Sequence, residues 1–197
     1  MTKEKRVVEK SDLIDLKTYE KNRKQFRKNL VKFKKDRRIA LGPYATFYFE
    51  NFDTMLAQIQ EMLFIEKGGD EQLKDELNAY NSLIPKGKEL VATLMFEIDN
   101  PVIRSNFLNK AGGIEEKVYI KINDSKIKAD PEKDVDRTSA EGKASSVQFL
   151  HFKFTDEQLK EFKDNKNSVI LGIDHNLYSH MTKLSNESKN SLIQDFT

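Results

Sequence analysis

Between about Leu13 and Arg38, apolar residues Leu16, Tyr19, Phe26, Leu30 and Phe33 recur at three-, four- and seven-residue spacings, with Lys or Arg at most other positions. That pattern predicts a surface helix with a narrow apolar stripe. The next run, Ile39 to Glu50, is β-branched and aromatic and is broken at Gly42-Pro43, which predicts two short strands in a hairpin. Asn51 or Asp53 then caps a helix over 52–67, whose Phe52, Met55, Leu56, Ile59, Met62 and Leu63 share a face. Gly68-Gly69 ends it, and Asp70 opens a shorter helix carrying Leu73, Leu77 and Tyr80.

Further along, Leu90, Ala92, Leu94, Phe96 and Ile98 line one side of a strand expected at the centre of a sheet. Asn100-Pro101 starts a helix because Asn accepts a backbone N–H as N-cap, and Pro at the first helical position gives up no hydrogen bond. Val118, Ile120 and Ile122 alternate with Lys117, Tyr119 and Lys121, as in an antiparallel strand with one wet face, and a partner strand is expected around Ile127. Val147 to Phe154 reads as a strand. Thr155-Asp156-Glu157-Gln158 reads as a capping box, with Phe154 and Leu159 as its hydrophobic staple. A buried strand over 168–174, a short strand over 180–184 and a helix over 185–196 complete the chain. No regular βαβ alternation is present, so the expected class is α+β: a single domain with a mostly antiparallel sheet packed by several helices.

Two segments have too little apolar material to join that core. Residues 1–12 are expected as a flexible tail preceding a domain over 13–197, and 130–145 as a mobile polar loop. The absence of cysteine removes disulfides, thiolate nucleophiles and cysteine-ligated metal centres. The charged N-terminus and the lack of a long apolar run point to a cytoplasmic protein with no membrane partner. Charge is unevenly placed: residues 17–38 carry 11 basic and 2 acidic side chains, which leaves the rest of a chain of net charge +2 acidic.

No phosphate-binding glycine loop, nucleophile elbow or metalloprotease motif is present, and the pattern specifies no cofactor. Three constellations remain. Asp174, His175, Tyr178 and His180 follow a buried strand and offer acid/base groups or metal ligands, with His151 as a further ligand if the fold brings it near. Asp-His-Asn is equally good turn chemistry. Glu61, with Gln58 and Glu66, puts carboxylate on the polar face of the helix over 52–67, although the Glu-x-x-His pairing of carboxylate metal sites is missing. The basic helix offers Lys24, Arg27, Lys28, Lys35, Arg37 and Arg38 to an acidic partner or to nucleic acid, or else to the chain's own acidic surface.

Several short runs in order resemble the bacterial domain-of-unknown-function family numbered 3501. They are Arg37-Arg38-Ile39-Ala40-Leu41-Gly42-Pro43, Phe49-Glu50-Asn51, Gln58 to Leu63, Glu76 to Asn81, Leu83-Ile84-Pro85, Ser146 to Leu150, and Gly172-Ile173-Asp174-His175. The likeness runs from about residue 12 to the C-terminus. It implies a place near rubrerythrin-like di-iron proteins and iron–sulfur oxidoreductases, beside which such proteins are often encoded. This chain departs from the pattern at Gln148, where His is common, at Phe64, where Arg is common, and at Asn176, where Pro is common, so a role resting on that His does not carry over. Three functions are therefore expected in order: an accessory protein docking on a redox partner; a metal-dependent redox or hydrolytic enzyme built on Asp174, His175, Tyr178 and His180; and RNA binding through the basic helix.

Overall fold

The computed structural model describes residues 5–132 and 143–196. Helix α1 (Leu16–Lys34) leads through a 3-10 turn (Lys35–Arg37) into β1 (Arg38–Leu41) and β2 (Ala45–Glu50). There follow α2 (Phe52–Glu66), α3 (Gly69–Asn81), β3 (Glu89–Phe96) and α4 (Pro101–Leu108). Strands β4 (Val118–Ile122), β5 (Ser125–Lys128), β6 (Asp130–Pro131) and β7 (Val147–Lys153) precede α5 (Asp156–Lys163), β8 (Val169–His175), β9 (Tyr178–Lys183) and α6 (Asn186–Ile193). The architecture is α+β and every strand pairing is antiparallel, with the strands divided between two sheets of order β1-β2-β3-β7-β6 and β5-β4-β8-β9.

Successive side chains of a strand point to opposite faces, so Phe47, Phe49, Leu90, Leu94, Leu150 and Phe152 of the first sheet face one interior. They meet Val118, Ile120, Ile122, Leu171 and Ile173 of the second sheet in a common core. Phe107 of α4, Phe162 of α5, and Leu192 and Phe196 at the C-terminus join that core from its margins. The outer face of the first sheet is covered instead by Met55 and Ile59 of α2 with Leu83 and Ile84, which pack around Val91. Central placement of β3 follows from having both faces covered.

Local signals set most helix starts. Asn51 caps α2 through the backbone N–H of Thr54, Asn100 caps α4 through those of Val102 and Ile103, and Thr155 with Gln158 closes the expected capping box at α5. Helix α1 is shorter than expected: it stops at Lys34 because Arg37 turns inward and Arg38 already pairs with Tyr48 in the sheet. Residues 5–12 are not the expected free tail. Val8 is 1% exposed, and its backbone N–H and C=O both bond to the side chain of Asn81. The ends of the expected mobile loop are also placed, since β6 pairs with β7 and the backbone N–H of buried Ala144 donates to the Leu108 carbonyl. Residues 133–142 lie outside the described residues.

Candidate functional site

Helix α1 buries only Tyr19 and lies along α2 rather than in the core. The two run antiparallel, because Tyr19 and Arg23 near the start of α1 reach Glu61 near the end of α2. The Glu61 carboxylate accepts from the Tyr19 hydroxyl at 2.6 Å and from Arg23 through a two-nitrogen fork. The Arg23 bond is the main cause holding the Glu61 carboxyl below the usual glutamate range, while burial, with the Tyr19–Glu61 hydrogen bond, pushes the Tyr19 phenol up to about 12. Phe64 lies beside both partners, 5.0 Å from the Arg23 guanidinium and 5.6 Å from the Tyr19 ring. Glu61, read as a candidate metal ligand, is thus the polar clasp of this helix pair.

Beyond the clasp the helices separate into an open trough of about 700 Å³ between Phe26, Leu30 and Phe33 on α1 and Leu56 and Ala57 on α2. A second cleft, of about 380 Å³, adjoins it and has a polar lining of Lys5, Arg6, Arg37, Asn51 and Asp195. Phe33 and Asp53 line both. The floor of the polar cleft is a buried ion pair of Arg37 and Asp195. Arg37 also donates to the carbonyls of Phe49 at 2.9 Å, Glu50 at 3.2 Å and Ser191 at 3.3 Å. Arg37 was expected on a partner-binding surface; it is 1% exposed and holds the end of the chain to β2. Burial raises the pKa of Asp53, which is half-buried and has no hydrogen bond or ion pair among the described residues.

The opposite side of α1 is a ridge. Lys17, Lys21, Lys24, Lys28, Lys32 and Lys35 follow one another at three- and four-residue intervals, so they share one face along about 27 Å of helix and turn. All six are exposed, and neither they nor Arg27 form an ion pair with the described residues. Among the described residues, the ion pairs made by this helix are those of Arg23 with Glu61 and Lys34 with Glu50. Arg38 is exposed but bonded to Glu97, over the ring of Tyr48.

The Asp174 to His180 segment is a two-residue hairpin between β8 and β9. Its register puts His175 opposite Tyr178 and Ile173 opposite His180, so the imidazoles and the phenol share one face while Asp174 projects from the other, toward Lys126 at 3.6 Å. The groups therefore do not converge. His175 Nδ1 accepts from the Leu177 backbone N–H at 3.2 Å. The buried Tyr178 hydroxyl donates to the Leu41 carbonyl and accepts from the N–H groups of Tyr44 and Ala45, each at 3.0 Å. His180 is exposed, its ring 4.5 Å from that of Tyr178. His151 belongs to the other sheet, between Glu89 at 3.1 Å and Glu132 at 3.9 Å. Among the described residues no three His, Asp or Glu side chains are grouped to hold a metal ion. Gln148 is fully buried in β7 and donates to the Ser145 carbonyl.

Two antiparallel sheets, with a helical layer that carries a polar clasp, two adjoining clefts and an exposed row of lysines, define a protein of the α+β class. The chain belongs to the family described as Protein of unknown function (DUF3501), whose model matches residues 7–196. A solved structure similar to this chain is that of a novel protein of unknown function from Burkholderia pseudomallei K96243. The two are 30% identical, with a TM-score of 0.90, over 97% of this chain and 100% of that one. A comparison with curated proteins finds no match. Among the described residues no helix is long and apolar enough to cross a membrane.

Proposed function

We propose that the chain is a non-catalytic accessory protein that docks an acidic surface of a partner protein along the lysine ridge of α1. The observation that carries this reading is the set of six exposed lysines on one helix face, none of them in an ion pair with the described residues. Like charges aligned at three- and four-residue spacing repel one another and weaken an isolated helix by a few tenths of a kcal/mol each, so a counter-charged partner recovers that cost. Lysine rather than arginine suits a docking surface that must also let go, because the ammonium is a compact, hydrated point charge without a fixed bidentate geometry. The redox character of the partner is the part implied by the family resemblance, which places such proteins beside rubrerythrin-like and iron–sulfur proteins.

The test is capture from native lysate by the wild-type chain and by a Lys24→Glu/Lys28→Glu double variant. The wild type is expected to recover one stoichiometric acidic protein, with binding that weakens steeply as salt approaches the range where the Debye length falls below about 8 Å. The variant is expected to recover none. Equal capture by both chains, or recovery of RNA instead of protein, rejects the reading.

A further inference from the structure

We propose that β9 is a self-pairing edge, at which a second copy of this chain adds its own β9 antiparallel about a two-fold axis through Met181. The strand belongs to the second sheet and shares no residue with the lysine ridge, so the inference does not rest on partner docking there.

The backbone specifies what this edge accepts. Strand β9 is six residues long and pairs on one side only, with β8. The Leu184 N–H donates to the Val169 carbonyl, which marks those two residues as a hydrogen-bonded pair, and antiparallel bonding alternates from there. His180 and Thr182 therefore bond inward to Ile173 and Leu171, whereas the N–H and C=O groups of Ser179, Met181 and Lys183 point to the free edge. These three residues are exposed, and among the described residues none of them has a hydrogen bond outside its own hairpin. The β1–β2 turn abuts Tyr178 and His180, whose side chains lie on the other face. A row of outward backbone groups takes an extended strand. Among the described edge strands β9 is the longest, since β1 and β5 have four residues each and β6 two.

Self-complementarity selects a second copy as the strand. With the axis at Met181, that residue bonds its own copy and Ser179 bonds Lys183 on either side, so every outward group is used; an axis at His180 or Thr182 leaves some unpaired. Met181, 68% exposed in the middle of the edge, ends a row on the outer face that runs Tyr119, Gly172, Met181, with the Tyr119 ring filling the space over Gly172. Two such rows meet at the axis and cover both methionines. Charge agrees with the same register. Asp174 stands opposite Ser179 in its own hairpin, so Lys183 of the second copy falls two strands away on the same face, about 10 Å between Cα atoms, a gap the two side chains span. Lys183 has no ion pair among the described residues, and Asp174 meets Lys126 only at 3.6 Å with its carboxylate exposed. No like charges stand opposite each other in this register.

Sedimentation velocity at loadings from about 5 µM to about 500 µM, the range of weak specific pairs, is expected to show a monomer–dimer equilibrium. Hydrogen exchange followed by NMR across that range is expected to slow at the Ser179, Met181 and Lys183 amides as the dimer fills, while His180 and Thr182, bonded within the hairpin, stay protected throughout. Met181→Pro removes an outward donor that the chain itself does not use, and proline is tolerated at such an edge position, so loss of the dimer with the fold intact is expected. Met181→Lys, which sets two like charges face to face, is expected to weaken dimerisation about tenfold. Lys183→Glu is expected to weaken it as well, and a Lys183→Glu/Asp174→Lys chain to regain the wild-type constant. A chain that stays monomeric at the highest loading overturns the proposal. So does a dimer in which those three amides exchange as fast as in the monomer, or one left unchanged by Met181→Pro and Met181→Lys in chains that melt as wild type.

Discussion

Arg37 and Asp195 are 158 residues apart in sequence and meet as an ion pair whose side chains are 1% and 3% exposed. The pair joins the turn after α1 to the end of the chain, because the same guanidinium also holds the carbonyls of Phe49, Glu50 and Ser191. Replacing only one partner leaves the other charge buried and uncompensated. Arg37→Met is therefore expected to cost about 3–5 kcal/mol in urea unfolding. A double Arg37→Met/Asp195→Leu chain is expected to recover a large part of that loss. Equal stability of the single and double variants contradicts this account of the pair.

The clasp between α1 and α2 predicts two pH effects of opposite sign. Glu61 has a folded pKa below its ordinary value, so its contribution is present above that value and is lost as pH falls through the lowered one. Tyr19 has a folded pKa raised from 10 to about 12, so its contribution is complete below pH 10 and fades as pH rises toward 12. Hydrogen exchange over α1 is expected to quicken at both extremes first. Tyr19→Phe is expected to cost about 1 kcal/mol and to remove the alkaline arm.

Tyr178 ties the β8–β9 hairpin to the β1–β2 hairpin through three backbone groups around Gly42. Tyr178→Phe leaves one carbonyl and two N–H groups without that hydroxyl, and a loss of about 2–3 kcal/mol in thermal or urea unfolding is expected. Gly42 has φ of +63°, and a Cβ there would stand 2.6 Å from the Tyr178 hydroxyl and 2.7 Å from the His180 ring. Gly42→Ala is expected to destabilise by about 2 kcal/mol, more than alanine in an open left-handed turn would.

The hairpin imidazoles predict a small result. His175 accepts one bond from Leu177 in a partly exposed turn, so His175→Ala is expected to change stability by under about 1 kcal/mol. His180→Ala, at an exposed position, is expected to do the same. Elemental analysis of the purified chain is expected to give no stoichiometric iron, manganese or zinc. A bound metal lost on either substitution would reinstate the enzyme reading of this segment.

Tyr119 shows where period-two reading stops. Alternation put its ring on the wet face of β4, and by direction that holds. Yet it is only 8% exposed, because Lys126 of β5 lies 3.9 Å over the ring and Gly172 of β8 leaves room for it beneath. Glu61 shows the same limit for site residues. Its exposure on a helix face was legible, but the arginine and tyrosine that neutralise it belong to another helix.

The sequence by itself determined the elements whose signals are local: the caps at Asn51, Asn100 and Thr155, the alternation of β3 and β4, and the α+β class they add up to. It also determined the concentration of basic residues over 17–38, but not which of them stay exposed and unpaired with the described residues. Tertiary structure decided the sharing of strands between two sheets, the inward turn of Arg37, the packing of Val8 and the joining of the two clefts at Asp53. Each of these depends on which distant segment lies alongside. A charged or apolar side chain looks the same in sequence whether water or another strand covers it.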